Sequence, residues 1–149
     1  MFNQIKIAGL ALAVLAVTGG TALATDYTVE LKNKGADGVM VFEPVLTRVA
    51  VGDTVTFVAT DKSHNAETIA GLIPDGAEAF KGKPNKDVAV AFDVPGVYAV
   101  KCLPHYAMGM VALVEVGGDT GNLAALEAAR LPKMAQKRLA PAFAELAAE

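Results

Sequence analysis

Cysteine is almost absent from this sequence; the chain has one, Cys102. A single thiol cannot close an internal disulfide, so no covalent staple supports the fold. Histidine is nearly as scarce, with only His64 and His105. No apolar run reaches the ~20 residues needed to cross roughly 30 Å of hydrocarbon. Basic charge is not in excess: 13 Lys and Arg face 16 Asp and Glu, for a net charge of −3. That balance lacks the electrostatic footprint of a nucleic-acid-binding domain. Internal repeats and low-complexity tracts are also missing.

The N-terminus carries an export pattern. Lys6 precedes an apolar run over residues 7–17, and small residues follow up to Ala22-Leu23-Ala24. Charged start, short apolar stretch and small-residue end make a secretory signal peptide over residues 1–24, with cleavage expected after Ala24. The expected location is the periplasm. Removing Lys6 makes the chain one unit more negative and leaves a length suited to one domain. A chain of that length buries roughly two-thirds of its unfolded surface without disulfides. A lone thiol in an oxidising compartment therefore calls for an explanation: burial, nucleophilic chemistry or metal ligation.

Residues 25–118 alternate with period 2. Tyr27, Val29 and Leu31 share one face, as do Val55, Phe57 and Ala59, and Val88, Val90 and Phe92. Residues 97–101 and 110–116 continue the pattern, with turn signals at 35–38, 51–53 and 94–96. This predicts an all-β sandwich or barrel. Residues 66–87, rich in Gly and Pro, are expected to wrap one edge as a long loop. Beyond Gly118 the chain changes to Ala, Leu, Lys and Glu, predicting two α-helices over 123–130 and 133–148 in an extension of residues 119–149. Asn122 is the expected cap of the first and Pro132 the expected start of the second. Ala135, Leu139, Ala142, Phe143 and Leu146 form a stripe at helical spacing that would pack on the sandwich. Pro141 predicts a kink or break.

The only cysteine lies in Lys101-Cys-Leu-Pro-His-Tyr-Ala-Met-Gly-Met110, a loop between two predicted strands. Pro104 stiffens it, and Gly109 permits an unusual backbone angle where the last strand begins. His105 is three residues from Cys102, and His64 sits far upstream in Lys62-Ser-His-Asn65. Singly, each residue has an ordinary structural role. Together, one thiolate, two imidazoles and a thioether are the donor set of a trigonal His₂Cys copper site with a weak axial Met. Soft sulfur suits Cu(I), and imidazole suits both oxidation states, so one electron can move with little rearrangement.

The run from Tyr98 to Val116, YAVKCLPHYAMGMVALVEV, and the stretch from Thr47 to Ile69, TRVAVGDTVTFVATDKSHNAETI, resemble the pseudoazurins, small periplasmic blue copper proteins of the cupredoxin superfamily. The likeness covers essentially the whole chain after the signal and extends to the helical tail. It implies a Greek-key sandwich of about eight strands with two C-terminal helices. It also implies a type 1 copper ion held by His64, Cys102, His105 and Met110, and one-electron transfer rather than enzymatic turnover. Asn65 would tie the two ligand loops together, with a hydrogen bond at the Cys102 sulfur. Met40, Pro104 and Met108 would surround the exposed His105 edge. The implied partners are periplasmic redox proteins such as nitrite reductase and c-type cytochromes, met transiently by a monomer. A shorter ligand loop would make Met108 the axial donor instead.

Three other readings remain open at this level: a Cys102–His105 nucleophile pair, a metal store, and a structural zinc site, which would not use methionine. Lys34, Lys62, Lys81, Lys83, Lys86 and Lys101 lie in segments that could converge at one end. Acids are common elsewhere, at Glu115, Asp119, Glu127, Glu145 and Glu149. A basic ring of this kind would steer an acidic partner.

Overall fold

The computed structural model describes residues 23–149. The signal-peptide reading falls almost wholly on residues 1–22, outside the described residues. No helix among the described residues is long and apolar enough to cross a membrane.

Eight strands and two helices follow one another: β1 (Asp26–Gly35), β2 (Gly38–Glu43), β3 (Leu46–Val49), β4 (Thr54–Val58), β5 (Glu67–Thr68), β6 (Val88–Ala91), β7 (Gly96–Lys101), β8 (Val111–Val116), α1 (Leu123–Glu127) and α2 (Lys133–Ala147). They form two four-stranded sheets, ordered β2-β1-β4-β6 and β3-β8-β7-β5. Each sheet is mixed, with parallel pairs β1–β4 and β3–β8. The expected eight-stranded sandwich with two terminal helices is what forms. Inside the loop-rich 66–87 segment, two residues pair as β5 along the edge of β7.

Alternation decides which residues reach the site. Val29 and Leu31 on β1, Val55 and Phe57 on β4, and Tyr98 and Val100 on β7 point between the sheets, with Ala112, Val114 and Val116 on β8. Cys102 and Met110 continue the same parity just beyond their strands and join that core. The opposite parity of the same strands (Val97, Ala99, Val111 and Leu113) meets Leu123, Leu126, Leu139 and Leu146 of the helices. Strands β7 and β8 are therefore buried on both faces, which explains their nearly unbroken apolar sequence. Fully burying Leu139 and Leu146 contributes about 1.5–3 kcal/mol each toward holding α2 on the sheet.

An aromatic series fills the space between the sheets. Phe57 and Phe80 stack with centroids 5.4 Å apart, and Phe92 meets Tyr98 edge-on at 4.9 Å. The Tyr98 hydroxyl donates to the Val94 carbonyl at 2.8 Å, so its burial leaves no unmet donor.

Two local expectations are refined. Asn122 stands at the N-cap of α1 as expected, but its side chain makes no capping bond. Its amide instead accepts from Val97 N–H at 2.9 Å and donates to the Val97 carbonyl at 2.8 Å, pinning the start of α1 to β7. Pro141 does not break α2, which runs unbroken from Lys133 to Ala147. Its ring lies on the exposed side, while Leu139, Ala142 and Leu146 stay seated on the sheet. The packed face outweighs the hydrogen bond that proline cannot make.

Candidate metal centre

The pairing of β7 with β8 builds the loop that carries Cys102. The last rung joins Lys101 to Val111. Just beyond it, Cys102 N–H donates to the Met110 carbonyl at 3.0 Å. Met110 N–H returns to the His105 carbonyl at 3.2 Å, and His105 N–H reaches the Cys102 carbonyl at 3.3 Å. A short 3₁₀ turn over Tyr106–Met108 follows, ended by Gly109 at φ 85°. An L side chain avoids that angle. A Cβ there would also lie 2.7 Å from the Met134 carbonyl oxygen on α2. The glycine thus lets helix and loop touch.

His64 arrives from the other sheet's side, on the segment after β4. Its carbonyl accepts from Asn85 N–H at 2.9 Å, and the Asn85 side chain accepts from Ser63 N–H at 2.6 Å. These bonds brace a segment in which Ser63 and Asn85 both carry positive φ.

The three donors meet in space. The Nδ1 atoms of His64 and His105 are 3.0 Å apart, and the Cys102 sulfur lies 3.7 Å from the first and 3.6 Å from the second. Donors facing a common ion at roughly 2.0–2.3 Å each show separations of this size. His64 and Cys102 are fully buried, whereas His105 is half-exposed. Met110 is also fully buried, on the same inward parity as Cys102, whereas Met108 is 45% exposed in the 3₁₀ turn.

The electrostatics suit a cation. His64 Nε2–H donates to Asn33 Oδ1 at 2.8 Å, which orients the ring and leaves the Nδ1 lone pair facing the sulfur. Burial, aided by repulsion from His105, holds His64 below the usual imidazole range, so it stays neutral and ready to ligate. Burial pushes the Cys102 thiol up, and backbone N–H groups of Asn65 and His105 partly oppose that rise. A buried thiolate of this kind is stabilised when a cation takes the place of its proton.

Asn65 joins the two halves as expected. Its Oδ1 accepts from Leu103 N–H at 2.8 Å, and its own backbone N–H reaches the Cys102 sulfur. Two residues were not visible in advance. Asn33 follows Val29 and Leu31 on the inward parity of β1, at the end of the sandwich where that face opens to solvent. Glu67 sits in what reads as a loop, yet is 7% exposed and accepts from Asn65 Nδ2 at 3.0 Å. The local signal for Asn33 is a polar residue at an inward position, and Glu67 has none, because each meets the site through strand pairing.

One sulfur and two imidazole nitrogens at these spacings, with a buried thioether at the loop's end, fit copper. Sandwich and donor set together define a copper-binding β-sandwich protein. Residues 29–117 match the model of the copper binding proteins of the plastocyanin/azurin family. A pseudoazurin from Methylorubrum extorquens is 46% identical over 146 residues, spanning 98% of this chain and 99% of its own. The crystal structure of pseudoazurin from Methylobacterium extorquens AM1 superposes with a TM-score of 0.79 at 48% identity, covering 81% of this chain and 98% of that one. A pseudoazurin structure from Sinorhizobium meliloti gives 0.78 at 45% identity, covering 82% and 96%. The chain belongs to the plastocyanin/azurin family and, within it, to the pseudoazurins; its cofactor is copper.

Proposed function

We propose that this protein is a periplasmic one-electron carrier whose copper is held by His64, Cys102, His105 and Met110. It would serve a redox enzyme such as a nitrite reductase in denitrification and exchange electrons with c-type cytochromes. The observation that carries this reading is the convergence of three N and S donors from two distant segments into one triangle, buried except at His105. Copper bound there supplies a couple between Cu(I) and Cu(II). The chain's part is to hold the donors still, exclude water and leave one edge open. His64, Cys102 and Met110 are sealed inside, and His105 is the half-exposed member beside exposed Leu103, Pro104 and Met108. His105 is therefore the electron exit. Full burial of Cys102 supports a carrier over a nucleophile, since a substrate could not meet the sulfur without displacing the loop.

The mature chain is proposed to begin at Thr25, with the sandwich over 25–118 and a helical extension over 119–149 packed on it. Mass measurement of the exported protein tests the cleavage site: a mass that retains residues 1–24 rejects it.

Burial favours Met110 over Met108 as the axial donor: Met110 is sealed in the inter-sheet core, and Met108 lies in the exposed 3₁₀ turn. Met110→Ala is expected to change the visible and EPR spectra of the copper protein and shift its potential. Met108→Ala is expected to leave the spectra unaltered. The reverse pattern would move the ligand to Met108.

The lysines support docking by charge. Lys34 follows Asn33, Lys62 precedes Ser63 and His64, and Lys86 follows Asn85, all of which belong to the His64 hydrogen-bond set. Lys81 and Lys83 flank Gly82, whose carbonyl accepts from Asn65. All five are exposed. They place positive charge around the donor end, suited to an acidic partner and an interface below about 1,200 Å² that releases quickly. The rate of electron exchange with an acidic redox protein is expected to fall at least about tenfold between low and physiological salt. A flat profile rejects steering.

A further inference from the structure

One carboxylate reaches the Cys102 end of the ligand loop by two routes. Glu67 begins the edge strand β5, where it pairs in register with Lys101, the residue before Cys102. Its side chain is almost fully buried. The Oε2 atom accepts from Asn65 Nδ2 at 3.0 Å, and Asn65 Oδ1 in turn takes Leu103 N–H at 2.8 Å, just after Cys102. The Oε1 atom faces Lys101 Nζ at 3.6 Å. That ammonium also lies 5.0 Å from the centre of the Tyr106 ring, at the start of the 3₁₀ turn after His105. The chain from Cys102 to Tyr106 is thus clamped from one point.

The geometry points to Glu67 as a positioning residue of the copper centre, whose buried charge, balanced by Lys101, both fixes the Asn65 amide and biases the metal toward its oxidised state. The two effects separate by chemistry. The hydrogen bond to Asn65 needs only an acceptor, which a glutamine oxygen also offers. The bias needs the negative charge, because an anion near a thiolate-bound metal favours the more positive ion. Removing the charge also leaves Lys101 uncompensated beside the loop, which pushes in the same direction. Asn65 keeps its second acceptor, the Gly82 carbonyl at 3.2 Å, so loss of Glu67 loosens the amide without freeing it.

The inference rests on the copper reading for its redox arm only. Leu103 amide hydrogen exchange is measured in metal-free wild type, Glu67→Gln and Glu67→Ala, and the reduction potential is measured in the copper-loaded proteins. Exchange at Leu103 is expected to be about tenfold faster in Glu67→Ala and within twofold of wild type in Glu67→Gln. The potential is expected to rise in both. Unchanged exchange in Glu67→Ala, or equal loosening in Glu67→Gln, overturns the clamp. An unchanged potential in Glu67→Gln overturns the charge role, and decides that role even where Glu67→Ala does not fold. A wild-type protein that takes up no copper would defeat the functional reading instead, and the exchange data would still judge Glu67.

Discussion

Cys102→Ser is expected to abolish the intense visible absorption of the copper protein and to lower copper affinity by more than about 100-fold, beyond the cost of losing an outer-sphere partner. The thiolate is the softest donor of the set, and a serine hydroxyl neither ionises near neutral pH nor matches Cu(I). The fold should survive. Cys102 lies in the inter-sheet core, but it closes no disulfide, and a hydroxyl there still faces the imidazole nitrogens of His64 and His105. Far-ultraviolet circular dichroism should match wild type while the visible band is gone. A variant that kept an intense thiolate-type band would remove Cys102 from the centre, and with it the account of why this chain keeps a single thiol.

Gly109→Ala is expected to destabilise the metal-free protein by about 2–5 kcal/mol. The first contribution is the left-handed backbone at φ 85°, about 1–2 kcal/mol for an L residue. The second is overpacking, typically 1–3 kcal/mol, because the new methyl would press on the backbone of Met134 rather than on a yielding side-chain tip. For a domain of this size the midpoint of thermal unfolding should fall by about 10 °C. Relief can come only by moving α2 away or by shifting the chain into Met110, so the copper spectrum should change as well. A loss under about 0.5 kcal/mol with an unaltered spectrum would mean that the helix does not brace the loop.

These two results bear on different halves of the design. Cys102 supplies chemistry, and any fold presenting it beside two imidazoles could ligate a metal. Gly109 shows how the helical extension contributes to the site without offering a donor. Its neighbour Met110 is held between β8 and the inter-sheet core, while α2 closes over the outside of the turn. The helices thus pack against the proposed electron-transfer end as well as covering the β7–β8 face.

Much of this was legible without coordinates. Period-2 alternation identified the strands because burial of one face leaves a mark every second residue. Helical propensity and an apolar stripe identified α2. The four candidate donors stood out because soft ligands are few here, so their grouping in one loop plus an upstream Ser-His-Asn carried information. Pro141 did not bring the break it suggested, since a local penalty of a few kcal/mol yields to a packed face whose contacts are distant in sequence. Asn122 marked the start of α1, but not its side chain's partner: a side chain that can cap a helix can equally well bond a strand edge, and only the fold chooses.

The amino-acid sequence alone determined the strand pattern, the helical tail and the identity of the metal-binding chemistry, because these depend on residue type and on spacing along the chain. Tertiary structure decided which methionine turns inward, which asparagine orients His64, and that Glu67 holds the Cys102 end of the ligand loop by two routes. Those outcomes depend on strand register and on which loops meet across the sandwich, and no short stretch of sequence encodes a distance between segments that pairing alone brings together.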